Sequence, residues 1–425
     1  MRYNKHMNLR TFDTHESNVR GYVRSFPTIF ERSEGPFMYD EKGTQYIDFF
    51  SGAGGLNYGH NHPALTAGLI EYLQGNGIIH GLDMATSAKK RFIEAFHTHI
   101  LTPRNLRYKI QFTGPTGTNA VEAALKLARM NTGRTGIVAF THGFHGVSLG
   151  SLANTANAWY RDAAGVDLPG TTFLPFDGYV KGLDSIEYLR QLLEDPGSGL
   201  ALPAAVLVET VQGEGGVNVA SDTWLVRLRE LTTKHGILLI VDDIQVGCGR
   251  TGDFFSFEQS GIVPDMVTLS KSISASGLPM ALLLIAPKLD IWKPGQHNGT
   301  FRGNNLAFVS AAIAIETFWK TDALSKDVKR KAKLIKKALT AIARTHPKLK
   351  LRVVGRGMIQ GLVSQVDHGF AKRVSQAAFG HGLIIETAGS NDEVLKLLPA
   401  LIIDDKTLQK GLAIIAKSAK QARQT

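Results

Sequence analysis

The sequence predicts an α/β fold, a mainly parallel sheet followed by a smaller α+β domain. Three observations carry this. Four short runs, Ile137–Phe140, Ala204–Thr210, Ile237–Asp242 and Met266–Ser270, are β-branched or leucine-rich and apolar on both faces, as buried parallel strands are. Helical patterns such as Asp222 to His235 separate them, and strand–helix–strand order builds a parallel sheet. Beyond about residue 306 the pattern changes. A long basic helix comes first, then Lys350–Val354 and Met358–Val363 as strands, then an apolar–polar run near Leu395.

The chain divides into three segments. Residues 1–60 contain PFMYDEKGTQYIDF, a hairpin turning at Glu41–Gly43, and are expected to pack with the C-terminal domain. Residues 61–305 form the large domain and residues 306–425 the small one. In a parallel sheet, ligands sit beyond the carboxyl ends of the strands, so the residues just after each strand matter most.

Composition narrows the function classes. With 43% apolar and 20% charged residues, the chain is expected to be ordered and globular. Its apolar stretches, such as Met280–Ala286, fall far short of the roughly 18 residues a membrane span needs. The N-terminus MRYNKHMNLR lacks an apolar signal core, so a cytoplasmic location is expected. One cysteine, Cys248, excludes an intrachain disulfide. The net charge of +11 is concentrated: eleven basic residues lie between Lys326 and Arg352, against the single acid Asp327. Val328, Ala332, Ile335, Leu339 and Ile342 are spaced for one face of that helix. No aromatics interleave and no nucleic-acid fold signature appears. The basic residues therefore read as a solvated helix face, with neither a nucleic acid nor a membrane as partner.

Three features could carry chemistry. The loop Thr113–Thr118 runs into a helix of about 13 residues, with Glu122 and Lys126 as an i, i+4 pair. Such a helix start suits a phosphate, although it matches neither a P-loop nor a dinucleotide fingerprint. The strand ILLIV ends in Asp242, Asp243, Ile244 and Gln245. An acid there is either a solvated loop residue or the partner of a cation such as a protonated heterocycle. Lys271 directly follows the strand MVTLS and is either solvated or an amine poised for a carbonyl. A phosphate loop, an acid and a lysine at successive strand ends together suggest pyridoxal phosphate.

These segments resemble class III aminotransferases, a branch of the fold-type I pyridoxal-phosphate enzymes. TGTNAVEAALKLAR, FHG at 144–146, ETVQGEGG at 209–216, DDIQVGCGRTG at 242–252, LSKSIS at 269–274 and HNGTFRGNN at 297–305 come in family order and span most of the chain. The resemblance implies a large, mainly parallel seven-stranded sheet domain with a smaller α+β domain, and pyridoxal 5'-phosphate as cofactor. Further segments, FFSGAGGLNYGHNHP, IIHGLDM and IWKPGQHNGTFRGNNLAF, are similar to a subgroup acting between 2,4-diaminobutyrate and 2-oxoglutarate. That subgroup supplies ectoine synthesis. It uses amino-acid and oxo-acid substrates and ping-pong kinetics. Ornithine-type and 4-aminobutyrate-type aminotransferases, and an aminomutase or racemase, remain alternatives.

Residue by residue, the resemblance implies that Lys271 is the covalent anchor and proton shuttle. It implies Asp242 at the pyridine nitrogen and Gln245 near the phenolic oxygen. Phe144 would lie on the ring face, with His145 and Gly146 completing that motif. Gly117 and Thr118 match the phosphate turn. Thr300 matches a phosphate contact supplied by a neighbouring subunit, which implies a homodimer or dimer of dimers with shared sites. Glu209 and Glu214 match two acids beside the pocket. No metal is implied. Four positions depart from the family pattern: Asn119 and Asp243 where it has glutamate, Thr210 where it has proline, and Glu386 where many members have an arginine for the substrate carboxylate. Arg161 is the first replacement candidate, with Arg20 and Arg302 behind it. Glu386 either holds the second ammonium of diaminobutyrate or pairs with a local lysine.

Overall fold

The computed structural model describes residues 9–422, so the first eight residues of the stretch read for a signal core lie outside it. Near the N-terminus, β1 (Phe30–Glu34), β2 (Phe37–Asp40) and β3 (Gln45–Asp48) form an antiparallel meander. Asp40 makes the second turn: its carboxylate accepts from the backbone N–H of Lys42 and Thr44, and Gly43 takes the left-handed conformation the turn needs. On its other side β3 pairs in parallel with Leu383–Ile384, a two-residue strand from far along the chain.

The central sheet has seven strands: β4 (Lys109–Phe112), β5 (Ile137–Phe140), β6 (Thr171–Leu174), β7 (Ala205–Val208), β8 (Leu238–Asp242), β9 (Met266–Leu269) and β10 (Leu282–Ile285). Their spatial order is β4-β10-β9-β8-β7-β5-β6. Only β10 runs against the others. The expected mainly parallel sheet is therefore present. Alternate residues serve two cores, which explains the two-sided apolar runs. Ile137, Ala205, Leu207, Ile240 and Met266 pack with Val121, Ala124 and Leu125 of α1 (Gly117–Thr132). Val138, Val206, Val241 and Val267 face the larger cluster, which takes in Trp224 and Leu228 of α2 (Asp222–Lys234).

The second antiparallel sheet comprises β11 (Leu351–Arg356), β12 (Ile359–Ser364), β13 (Glu386–Ala388) and β14 (Val394–Leu397), in the order β11-β12-β14-β13. The basic helix α3 (Ala323–Thr345) buries Val328, Ile335, Leu339 and Ile342, as their spacing predicts. Much of its charge is paired: Lys326 with Asp322, Lys329 with Asp253, and Arg330 with Asp327 and Asp405. Lys331 departs from the outer-face reading. It is buried, and Asp327 at 2.6 Å and the Leu401 carbonyl at 3.0 Å satisfy its ammonium. No helix among the described residues is long and apolar enough to cross a membrane.

Candidate active site

The residues that could carry chemistry lie just past the carboxyl ends of the parallel strands. Asp242 ends β8, Lys271 stands just beyond β9, Phe144 and His145 come after β5, and Glu209 comes after β7. This is the edge where an open α/β sheet holds its ligand.

Asp242 is buried, and each oxygen has a partner. Oδ2 lies 2.7 Å from His145 Nδ1, while Oδ1 accepts from the Thr268 hydroxyl at 3.1 Å and the Ile244 N–H at 3.2 Å. Burial works against a charged His145, but the hydrogen bond and charge of Asp242 overcome it and raise the imidazole pKa. Glu209 stands behind this pair. Its carboxylate accepts from Phe144 N–H at 3.0 Å and Gly213 N–H at 3.2 Å, and burial pushes its pKa up to about 7. Glu209 thus clamps two loops behind the Asp242–His145 pair.

Lys271 has φ +52, a left-handed backbone that a side-chain-bearing residue rarely adopts. Its amine donates to the Ala53 carbonyl at 3.0 Å. Burial pulls that amine below the usual lysine range, against the attraction of Glu214 and Glu386.

The phosphate-loop reading rests on α1. Asn119 accepts from the Thr116 hydroxyl at 2.7 Å, so this departure from the family pattern supports the helix start. Thr118 Oγ1 lies 2.6 Å from Ser148 Oγ. A Cβ on Gly117 would meet Ile244 at 2.9 Å, and one on Gly146, whose φ is +117, would meet Thr118 at 2.5 Å. Glu122 and Lys126, read as a pair, turn apart. Glu122 Oε1 accepts from the Ser148 hydroxyl and the N–H groups of Gly150 and Ser151 at 2.7–3.1 Å, while Lys126 reaches the Gln296 carbonyl. Sequence spacing gave no sign of this loop clamp.

A cavity of about 600 Å³ opens in front of these groups, lined by Tyr22, Phe144, Tyr160, Glu214 and Glu386 among others. The main residue that the sequence did not single out lies behind Glu214 and Glu386. Lys396, fully buried on β14, stands 2.8 Å from Glu214 and 3.1 Å from Glu386. A lysine inside the apolar run VLKLLPA was the available signal. Burial opposes its charge, but the two carboxylates overcome it and raise its pKa. Burial likewise opposes ionisation of Glu214, yet Lys396 and Lys271, with a 2.7 Å hydrogen bond from Gln245, hold it down at about 2.

The arginines go elsewhere. Arg161 Nη1 donates to the carbonyls of Leu152, Ala153 and Thr155, and the guanidinium lies over the Phe173 ring. Arg20 pairs with Asp13, and Arg302 bonds Asn298. None of the three lines the cavity. Thr300 sits in an exposed loop and does not line the cavity.

These donors fit pyridoxal phosphate. A buried amine, a buried carboxylate held by an imidazole, and a glycine turn at a helix start stand at neighbouring strand ends. Gln245 Oε1 is buried without a hydrogen-bond partner.

Comparison with known proteins agrees. The class III aminotransferase family model matches residues 20–418. Two relatives called diaminobutyrate–2-oxoglutarate transaminase are similar over almost the whole chain. The one from Bordetella parapertussis is 60% identical over 98% of this chain and 96% of its own length. The one from Wolinella succinogenes is 56% identical over 96% of each. Among solved structures, the Toxoplasma gondii ornithine aminotransferase superposes with a TM-score of 0.84 at 24% identity, covering 98% of this chain and 94% of its own. The taurine:2-oxoglutarate aminotransferase of Bifidobacterium kashiwanohense, in complex with PLP and glutamate, gives 0.82 at 22% identity, covering 94% and 93%. The fold is that of the aminotransferases, and the chain belongs to the class III aminotransferase family, whose cofactor is pyridoxal phosphate.

Proposed function

We propose that the chain transfers an amino group between L-glutamate and L-aspartate 4-semialdehyde, giving L-2,4-diaminobutyrate and 2-oxoglutarate, reversibly and by ping-pong kinetics. The observation that carries the chemistry is the buried Lys271 beside the Asp242–His145 pair. Near-full-length identity of 56–60% to relatives of that name supports the substrate.

Lys271 would hold the cofactor, Asp242 its ring nitrogen, Gln245 its phenolic oxygen and Phe144 its ring face. Gly117 and Thr118 would hold the phosphate, with Thr300 of a second copy. When bound, pyridoxal phosphate supplies a carbonyl carbon for amines and a ring that accepts electrons from the substrate carbon. Asp242 would keep a proton at the ring nitrogen, and His145, 2.7 Å away, would hold Asp242 in place. The amine of Lys271, its basicity lowered by burial, would move a proton between the reacting substrate carbon and the carbonyl-derived carbon of the cofactor. The cations for a substrate carboxylate, a role expected of Arg161, would be Arg24 and Lys372 in the cavity lining, with Lys396 buried behind Glu214 and Glu386.

The working form would be a homodimer or dimer of dimers in the cytoplasm, feeding ectoine synthesis. Exposed Ile78, Ile79, Leu82 and Met84 support the shared interface, because their segment is bonded to the loop that carries Thr300 and Phe301 (Gly81 N–H to the Gly303 carbonyl, 2.9 Å). The division at residues 60 and 305 belongs to the same proposal.

Glutamate formation from 2-oxoglutarate tests the reading, with 2,4-diaminobutyrate, ornithine, lysine and 4-aminobutyrate as donors. The expected result is a lead for diaminobutyrate of about tenfold or more in kcat/KM. Another donor in the lead would overturn the substrate. Turnover without an oxo acid would point to a mutase or racemase instead.

A further inference from the structure

Two carboxylates line the cavity, and one ammonium is buried behind them. Glu386 and Lys396 face each other across β13 and β14, in register. Glu214 reaches the same lysine from the loop after β7. Lys396 hydrogen-bonds Glu214 at 2.8 Å. It also forms an ion pair with Glu386 Oε1 at 3.1 Å, the local-lysine pairing that the sequence left open, and that buried oxygen has no further donor. A buried carboxylate with an unsatisfied oxygen is costly unless something completes it. Glu386 borders the cavity, so a ligand can.

The missing partner can be described chemically. It must bring N–H donors and a positive charge, and it must tolerate Lys396 alongside. The head of an α-amino acid does this: its ammonium matches Glu386, and its carboxylate the lining cations Arg24 and Lys372. L-2,4-Diaminobutyrate presents that head when its 4-amino group reacts. 4-Aminobutyrate is the same molecule without the α-ammonium.

We propose that Glu386 is the specificity residue for the non-reacting α-ammonium of the substrate, with Lys396 paired behind it. The inference rests on the diaminobutyrate reading. It adds the reason that this chain would reject monoamines of the same length.

The test compares 2,4-diaminobutyrate with 4-aminobutyrate on the holoenzyme, for wild type, Glu386→Gln and Glu386→Asp. Single turnovers followed by cofactor absorbance separate the apparent dissociation constant from the rate. Wild type is expected to prefer diaminobutyrate. Glu386→Gln is expected to cut that preference about tenfold or more, mainly through the dissociation constant, with Glu386→Asp between the two. A wild-type preference that survives Glu386→Gln within about twofold overturns the inference and leaves the functional reading standing. Absence of any wild-type preference overturns both. Should the glutamine variant not fold, Glu386→Asp carries the test, and a preference equal to wild type overturns the inference.

Discussion

Asp243 shows how one buried group sets a pH dependence. It is fully buried beside Asp242; one oxygen accepts from the Ser256 N–H at 3.1 Å and the other has no hydrogen-bond partner. Burial pushes its pKa up to about 7. The folded chain therefore holds this proton at pH values where the unfolded chain has released it. The stability that Asp243 contributes is fully present below the unfolded value near 4 and is lost as pH rises through about 7. Asp243→Asn removes that titration. We expect the wild type to lose more thermal stability than the variant between pH 5.5 and 8, by on the order of 1–3 kcal/mol. Parallel melting curves for the two proteins would show that Asp243 is already ionised in the fold.

At the scale of elements, legibility tracked burial. β5, β7, β8 and β9 were readable because both their faces are covered, and two covered faces demand apolar residues throughout. The edge strands β4 and β6 were not, since KIQF and TTFL carry polar residues on half-exposed positions. β10 was seen only as an apolar run too short for a membrane, because nothing local announces an antiparallel strand inserted between parallel ones. The same contrast divides the site. Asp242 and Lys271 were legible because each is the polar residue that breaks an apolar strand. Lys396 breaks one too, yet its meaning depends on a cross-strand register with Glu386 and on Glu214, 182 residues away. Arg161 looked suitable as a free guanidinium, and only the loop carbonyls around it reveal that it is occupied.

For the whole molecule, the proposed site draws on a second copy of the chain. Thr300 is exposed, and the apolar side chains of residues 78–84 and Phe301 share its neighbourhood. Sedimentation of the holoenzyme is expected to give two or four times the chain mass. A monomer with full activity would remove the shared-site proposal. Within each chain, the cavity is built between regions distant in sequence. Tyr22 comes from the N-terminal segment, Phe144 and Glu214 from loops of the central sheet, and Glu386 from the last sheet. Two buried lysines meet there under opposite influences. Burial lowers the basicity of Lys271, whereas the paired carboxylates keep Lys396 charged. Only the first is suited to attack a carbonyl. Borohydride reduction of the cofactor-loaded protein, with peptide mass mapping afterwards, tests this most directly. The expected result is the reduced cofactor on the peptide containing Lys271; recovery on the peptide containing Lys396, or on no lysine, would contradict it.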